Sequence, residues 1–409
     1  MTDDEQIRMW IAFSGYGGST FSPDGTVIYN NSGTVITDSA GSKWSVVNGV
    51  VLKNGSTVGF TSGVAELVWK NGVFTSHIIG PPSGEWFYNG SSWVQGTWPQ
   101  PVTDRLTFWG QNGHFWAGTA FSKDAQTALK LVASGTNTYR VGFAGGDANR
   151  FKQFISAYAA PAHIAVYPVG LIGAAADESA AYANGYSVGV EMSSLKGYVP
   201  YYELPNEYAS YSINGGSDGN LSSHYNAALF KVSRGVFRGM VDGIRSQDPN
   251  ARFIGPAETW LHWGFSDMIW NGTSPDNNDP NPALAVKWDI TTWHWYSNMG
   301  NIEAAGGITA NVLQVLKDNY GKPIRINEYG CYASSFSDEA AITAYLTGTN
   351  LMGKWDTKRA TYNITGCDNY ELFDDSSGGD EGQFGIVQSD AFVNKGRYSA
   401  FAAYIVNHQ

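Results

Sequence analysis

The sequence predicts a (β/α)8 barrel preceded by a small all-β module, an α/β fold with an antiparallel prelude. Three observations carry that prediction. The 409 residues exceed one ordinary domain of about 150. Turn dipeptides crowd the first hundred positions. Beyond them, eight β-rich runs alternate mostly with helical stretches. Hydrophobic residues make up 43% of the chain, enough to build a sizeable core, and wholesale disorder is excluded.

Residues 1–100 form the predicted module. Pro23-Asp24-Gly25, Asp38-Ser39-Ala40-Gly41, Asn48-Gly49, Asn54-Gly55, Asn71-Gly72 and Asn89-Gly90 punctuate short runs such as Thr34–Thr37, Lys43–Val47, Glu66–Trp69 and Glu85–Tyr88. Asn-Gly suits type I′ hairpins because both central residues accept positive φ. A meander with a loose strand, Asn-Gly, strand repeat follows. Its aromatics Trp86, Tyr88 and Trp93 are candidates either for the module's own core or for a face that stacks on a glycan. Trp98-Pro99-Gln100-Pro101 reads as a stiff linker, since two prolines in four residues do not continue a ladder. The module is expected to be an accessory to residues 101–409.

Residues 101–409 form the predicted barrel. Leu106–Phe108 is the expected first strand, and the helical stretch Asp124–Ser134 is closed by Gly135. Strands are expected at Thr138–Phe143, His163–Tyr167 and Val199–Leu204. Tyr225, Leu229, Val232, Val236, Met240 and Ile244 then recur at helical spacing before Asp248-Pro249. The remaining strands are Arg252–Ile254, Trp288–Trp293, Pro323–Ile326 and Ile364–Tyr370. A barrel places its chemistry at the C-terminal ends of such strands. A doubly wound sheet competes, but no phosphate-binding glycine fingerprint follows an early strand.

Composition narrows the function classes. With 25 Lys+Arg against 36 Asp+Glu the net charge is −11, which opposes polyphosphate binding and argues against a nucleic-acid partner. Charged residues are 15%, against about 25% on average, and Asn, Ser, Thr and Gly must supply much of the surface polarity. The 15 Trp, 23 Tyr and 20 Phe supply a large aromatic core; flat rings also stack on the C–H face of a pyranose. No apolar run approaches the roughly 18 residues that cross a bilayer. The start, Met1-Thr2-Asp3-Asp4-Glu5, is acidic where a secretory leader is basic, so the protein is either intracellular or secreted without its leader in this chain. Cys331 and Cys367 fit one disulfide or two free thiols. Strands seven and eight bring them near each other, and register decides whether they meet.

Two carboxylates stand at expected strand ends. Glu207 closes Tyr202–Glu207 after strand four, and Glu328 closes Ile324–Glu328 at strand seven. Closure of a barrel brings both to one face. Glycoside hydrolysis needs such a pair, one acid to protonate the leaving oxygen and one carboxylate to attack or to activate water. Taken singly, each is also an ordinary surface glutamate following a strand. Gly185-Tyr186-Ser187-Val188-Gly189 and Gly215-Gly216-Ser217-Asp218-Gly219 match the nucleophile elbow of acyl hydrolases. The elbow needs an apolar strand before it and a helix after it, which neither has. The seven His show no H-E-x-x-H, so no catalytic zinc is expected. The acidic run Asp374–Glu381 is a possible calcium loop without EF-hand spacing.

Glu203-Leu204-Pro205-Asn206-Glu207 resembles the acid/base signature of clan A glycoside hydrolases, in which Asn-Glu ends strand four. Asn327-Glu328-Tyr329 resembles their nucleophile segment, and His294-Trp295-Tyr296 their His-x-Tyr end of strand six. The group most similar comprises β-xylosidases, iduronidases and exopolysaccharide hydrolases (family 39-like), with the cellulase-type family next. Gln111-Asn112-Gly113-His114, Tyr139-Arg140 and Phe384-Gly385-Ile386-Val387 extend the likeness over residues 104–409. It implies a retaining β-glycosidase acting on an oligo- or polysaccharide, without cofactor or metal, and a secreted or periplasmic setting. Glu207 would be the acid/base and Glu328 the nucleophile. Asn206, His294, Tyr296, Arg140, Asn112, His114, Trp260 and Phe373 would bind substrate or support the pair. Glu203 reads as structural. Pro205 and Phe373 stand where relatives carry Trp. The rival readings are a non-catalytic, adhesin-like sugar binder on a decayed barrel and, more remotely, a serine esterase.

Overall fold

The computed structural model describes residues 22, 26–38, 41–59, 61–70, 73–78, 84–88, 93–95, 106–114, 124–160, 162–173, 175–375, 379–388 and 392–408. The chain divides into two compact units, Met1–Pro101 with Ser156–Ala162, and Val102–Ile155 with His163–Gln409. The proposed linker Trp98–Pro101 lies outside the described residues, as do the Asn71-Gly72 and Asn89-Gly90 turns.

The first unit holds two antiparallel sheets. One joins β2 (Ile36–Thr37), β3 (Lys43–Val47), β4 (Val50–Lys53) and β5 (Ser56–Thr57) in that order. The other runs β1 (Val27–Tyr29), β6 (Val64–Lys70), β7 (Val73–Ile78), β8 (Gly84–Tyr88) and β9 (Trp93–Gln95). Asn48-Gly49 joins Val47 to its partner Val50, and Asn54-Gly55 joins Lys53 to Ser56. All four turn residues have positive φ, as type I′ turns require. Alternation along β3 buries Trp44 and Val46 with Ile28, Ile36, Val51, Val64, Leu67 and Trp69. Tyr88 and Trp93 pack against this core, and Trp93 Nε1 donates to the Val58 carbonyl at 2.9 Å. Those two rings are partly buried against the core of the module.

The second unit is a closed barrel of eight parallel strands, which excludes the doubly wound alternative. In order these are β10 (Trp109–Gly113), β11 (Thr138–Phe143), β12 (Ala165–Gly170), β13 (Tyr202–Glu203), β14 (Phe253–Thr259), β15 (Ile290–Tyr296), β16 (Ile324–Gly330) and β17 (Ile364–Asn369). The first strand begins at Trp109, just after the expected Leu106–Phe108. Its sequence Trp-Gly-Gln-Asn-Gly has poor strand propensity, and pairing with β11 and β17 overrides that preference. A Cβ at Gly110 would meet Asp368 Oδ1 at 1.8 Å, so the barrel interior requires glycine there. Several strands also run further than their apolar runs suggested, for instance to Thr259, Tyr296 and Gly330. Those extensions carry Glu258, His294 and Glu328, polar groups that find partners inside the barrel mouth.

The long helix spans Ala227–Gln247, capped by Asn226 accepting from Leu229 N at 3.1 Å. Tyr225 therefore precedes it, and Leu229 is half exposed instead of buried. It packs on the helix Glu178–Ser193 through glycines on both sides. Cβ atoms built at Gly185, Gly189, Gly235, Gly239 and Gly243 would stand 2.1–2.4 Å from backbone carbonyl oxygens of the facing helix. The glycines of Gly185–Gly189 thus serve helix packing, and Ser187 faces solvent on a helix, not an elbow. Gly239→Ala should destabilise the protein by at least about 1–3 kcal/mol, since rigid backbone cannot yield to the added methyl. An unchanged thermal transition would contradict this packing.

Cys331 and Cys367 are both free and buried. Cys367 pairs in register with Ile326, and Cys331 lies five residues beyond that level. At about 3.3 Å per residue the separation is roughly 15 Å, well past the roughly 7 Å a disulfide tolerates between Cα atoms. The expected approach of the two cysteines is not realised.

Candidate active site

Backbone irregularities at the C-terminal end of the barrel aim the candidate residues. Between the pairs Thr292↔Arg325 and His294↔Glu328, β16 holds one residue more than β15. The same excess recurs against β17, between Ile326↔Cys367 and Tyr329↔Asn369. This bulge breaks the alternation of β16, so that consecutive residues Asn327 and Glu328 both reach inward partners. On β13 the ladder stops early because Pro205 has no N–H to donate. Glu207 follows in the left-handed region at φ 51°, ψ 38°, its N–H held by the Ala257 carbonyl at 3.0 Å. Such a conformation costs a non-glycine residue about 1–3 kcal/mol and persists where the surroundings over-determine it.

Arg140 is the hub of the site. Its Nε and Nη2 grip the Glu203 carboxylate at 2.5 and 2.9 Å. Nη1 donates to Asn112 Oδ1 at 2.8 Å and to Glu328 Oε1 at 2.5 Å, and Nη2 also reaches Asn206 Oδ1 at 2.6 Å. All five guanidinium N–H groups are used. Asn327 Nδ2 donates to Glu203 at 2.5 Å, and Asn112 Nδ2 to the Asn327 carbonyl at 2.9 Å. The second oxygen of Glu328 accepts from the Tyr296 hydroxyl. His294 Nδ1 sits 2.7 Å from Glu207 Oε1 and 3.3 Å from Glu328 Oε2.

These contacts separate the two carboxyls electrostatically. Burial pushes Glu328 upward, but His294, Arg140 and the Tyr296 hydrogen bond outweigh it and hold the group below its ordinary value of 4.5. Glu328 is almost fully buried, whereas the Glu207 side chain is 37% exposed at the mouth. One atom each from Glu207, His294 and Glu328 lie within 4.8 Å of one another. The pair is thus an anchored, ionised carboxylate facing a solvent-accessible one.

They share a cavity of about 380 Å³, whose lining also includes Asn112, His114, Arg140 and Asn206. Tyr296, Tyr332, Tyr370 and Phe384 give it an aromatic wall, with ring centroids 4.9–6.3 Å apart. Two expected residues lie elsewhere. Phe373 is fully buried against Phe392, and Trp260 stacks on Trp295 at 5.8 Å; neither lines the cavity. Phe373 sits beyond the end of β17 with its ring against Phe392, and Tyr370 occupies the wall. His294 is buried behind the lining, with its Nδ1 facing both carboxylates.

Sequence reading missed Glu258. It is wholly buried, and its Oε1 accepts from Ala209 N at 3.0 Å in the turn after Glu207. Burial raises it well above 4.5, backbone donors oppose this, and the nearby Glu207 charge adds to the rise. The signal lay in Phe253–Thr259 itself, an apolar strand ending on an acid. His262 is a second such group. Burial pushes it down to about 4, against the pull of Glu207, and its Nδ1 has no partner among the described residues. The unfolded chain takes up this proton below about 6.5 while the native state resists until about 4, so stability falls as pH drops through that window. His262→Gln should remove up to about 3 kcal/mol of that loss, read from urea unfolding at pH 7 and pH 4.5. Equal losses in both proteins would disprove it.

In the acidic run, Asp374 pairs with Lys395, and Asp380 accepts from Ser334 N at 2.9 Å. Those two carboxylates are occupied by protein partners, and residues 376–378 lie outside the described set. A third group, His114, Glu371 and Asp375, has one ligand-type atom each within 4.8 Å.

Neither a family model nor a curated protein matches the chain. Solved structures do. The β-glycosidase from the hyperthermophile Thermosphaera aggregans is similar at TM-score 0.51 and 12% identity, over 74% of this chain and 96% of that one. The exo-β-1,4-mannosidase from Opitutaceae bacterium strain TAV5 matches at TM-score 0.48 and 14% identity, over 74% of this chain and 60% of that one. The broad-specificity endoglucanase from Clostridium acetobutylicum matches at 0.47 and 14%, over 76% and 99%. At such identities the likeness to the Thermosphaera enzyme establishes the barrel fold.

Proposed function

We propose that the protein is a retaining β-glycoside hydrolase. The observation that carries this reading is the Glu207–Glu328 pair, strand-end carboxylates with donor atoms within 4.8 Å across one aromatic-walled cavity. That proximity favours the retaining separation of about 5–5.5 Å over the inverting one of about 6.5–9.5 Å. Glu328, ionised and oriented by Arg140 and Tyr296, attacks the anomeric carbon. Glu207 gives its proton to the departing oxygen, then takes one from the water that releases the sugar. Asn206, fixed by Arg140, would hydrogen-bond the sugar 2-hydroxyl.

The finer placement near the β-xylosidase group rests on the motif residues together with cleft charge. Among the described lining residues, Glu207, Glu328 and Asp375 are acidic, and Arg140 is the one arginine or lysine, with every N–H already engaged. A neutral sugar suits that charge better than a uronic acid. All these residues belong to the second unit, which leaves the first outside the chemistry.

The test is a panel of aryl β-glycosides and polysaccharides, with the first-formed anomer followed by proton NMR. Release of the β-anomer supports the reading. Release of the α-anomer would replace it with inversion, and oligosaccharide binding without turnover would favour the sugar-binding alternative.

A further inference from the structure

The barrel closes where β10 pairs with β17, and the segments just beyond this seam carry three potential ligands. His114 directly follows β10. Glu371 lies two residues past β17, and Asp375 four further on. One side-chain atom of each lies within 4.8 Å of the others, and His114 and Asp375 line the cavity. Glu371 is fully buried, and among the described residues its carboxylate oxygens find no well-aligned hydrogen-bond donor. His114 Nε2 lies 3.3 Å from Glu371 Oε2, and the same nitrogen also contacts the Tyr370 hydroxyl at 3.2 Å. A buried carboxylate held only by one long histidine contact is costly, and a cation removes that cost.

We propose that His114, Glu371 and Asp375 bind one divalent transition-metal ion of the zinc type at the wall of the cleft. One imidazole with two carboxylates is an N/O donor set such an ion accepts, with a fourth position left for water. Calcium prefers six to eight oxygens, which this trio does not approach. Glu207, His294 and Glu328 satisfy the same proximity. Their carboxylates are already held, however, since Arg140 and Tyr296 donate to Glu328 and His294 Nδ1 faces Glu207, whereas Glu371 has no such donors among the described residues. Binding draws the three ligands together and exchanges the Tyr370 contact for the ion. The ion thereby ties the chain after β17 to the end of β10. No H-x-x-H spacing announces the site, because its ligands come from segments more than 250 residues apart.

The experiment uses untagged full-length protein, stripped with EDTA and titrated with ZnCl2 in a calorimeter, with CaCl2 and MgCl2 in parallel. One zinc per chain and a raised thermal transition are expected. Glu371→Gln and Asp375→Asn should each weaken binding by about 100-fold or more, exceeding the roughly 10–100-fold that outer partners cost. Glu328→Gln should retain it. Circular dichroism of the metal-free variants checks folding, and should Glu371→Gln fail to fold, the partly exposed Asp375 carries the test. Absence of saturable zinc binding overturns the proposal. So does binding that survives both wall variants, disappears only with Glu328→Gln, or is matched by calcium. None of these readouts depends on glycosidase activity.

Discussion

Glu328→Ala loses turnover by roughly 10⁴-fold or more, the scale on which removal of a covalent nucleophile acts. Three contacts make this carboxylate special: the Arg140 donor at 2.5 Å, the Tyr296 hydroxyl and His294 Nδ1 at 3.3 Å. All favour its charged form, against the burial that opposes it. Azide fits the space the side chain vacates and restores cleavage, its nitrogen displacing the aglycone to leave an α-glycosyl azide from a β-glycoside. In Glu207→Ala the first step survives for substrates whose leaving groups need little protonation, and azide there yields the β-product. Equal losses on activated and unactivated substrates in both variants, with no azide product from either, would dismantle the assignment of roles.

Arg140→Met acts on both stability and chemistry. It strands Glu203 and Glu328, two buried carboxylates that share one guanidinium, and costs about 3–5 kcal/mol. Arg140→Lys keeps a positive charge but cannot supply five N–H groups in a plane. It should fold, and the acid limb of kcat/KM should move to higher pH. The sign follows from the direction of the shift. Glu328 is held below 4.5, so activity that needs its anion persists as pH falls through 4.5, and a weaker cation gives up that margin. Stability has the same sign, present above the unfolded value and lost as pH falls through the folded one. An unmoved acid limb in a folded Arg140→Lys would mean that Arg140 supports the barrel without tuning the nucleophile.

Much of this was legible in the chain. Helical spacing from Val232 to Ile244 gave the long helix, and Asn48-Gly49 and Asn54-Gly55 gave the hairpin turns, because local sterics alone select those conformations. Eight apolar runs gave the barrel, and Asn206-Glu207 and Asn327-Glu328 marked the strand ends that carry the candidate pair. Other features exist only after folding. The bulge in β16 that turns both Asn327 and Glu328 inward depends on the register of two neighbouring strands, which no window of residues encodes. Gly185-x-Ser187-x-Gly189 matches the elbow pattern without the strand an elbow needs, and only the facing helix shows what its glycines admit. Phe373 and Trp260 were expected at the cavity from the family resemblance. Side-chain direction past a strand end is set by the loop's path, and that path put Tyr370 on the wall instead. Glu258 and Glu371 carry no motif, and the acidic run around Asp375 has no ligand spacing. Their significance arises from burial and from proximity across the barrel mouth, and the closed sheet supplies both.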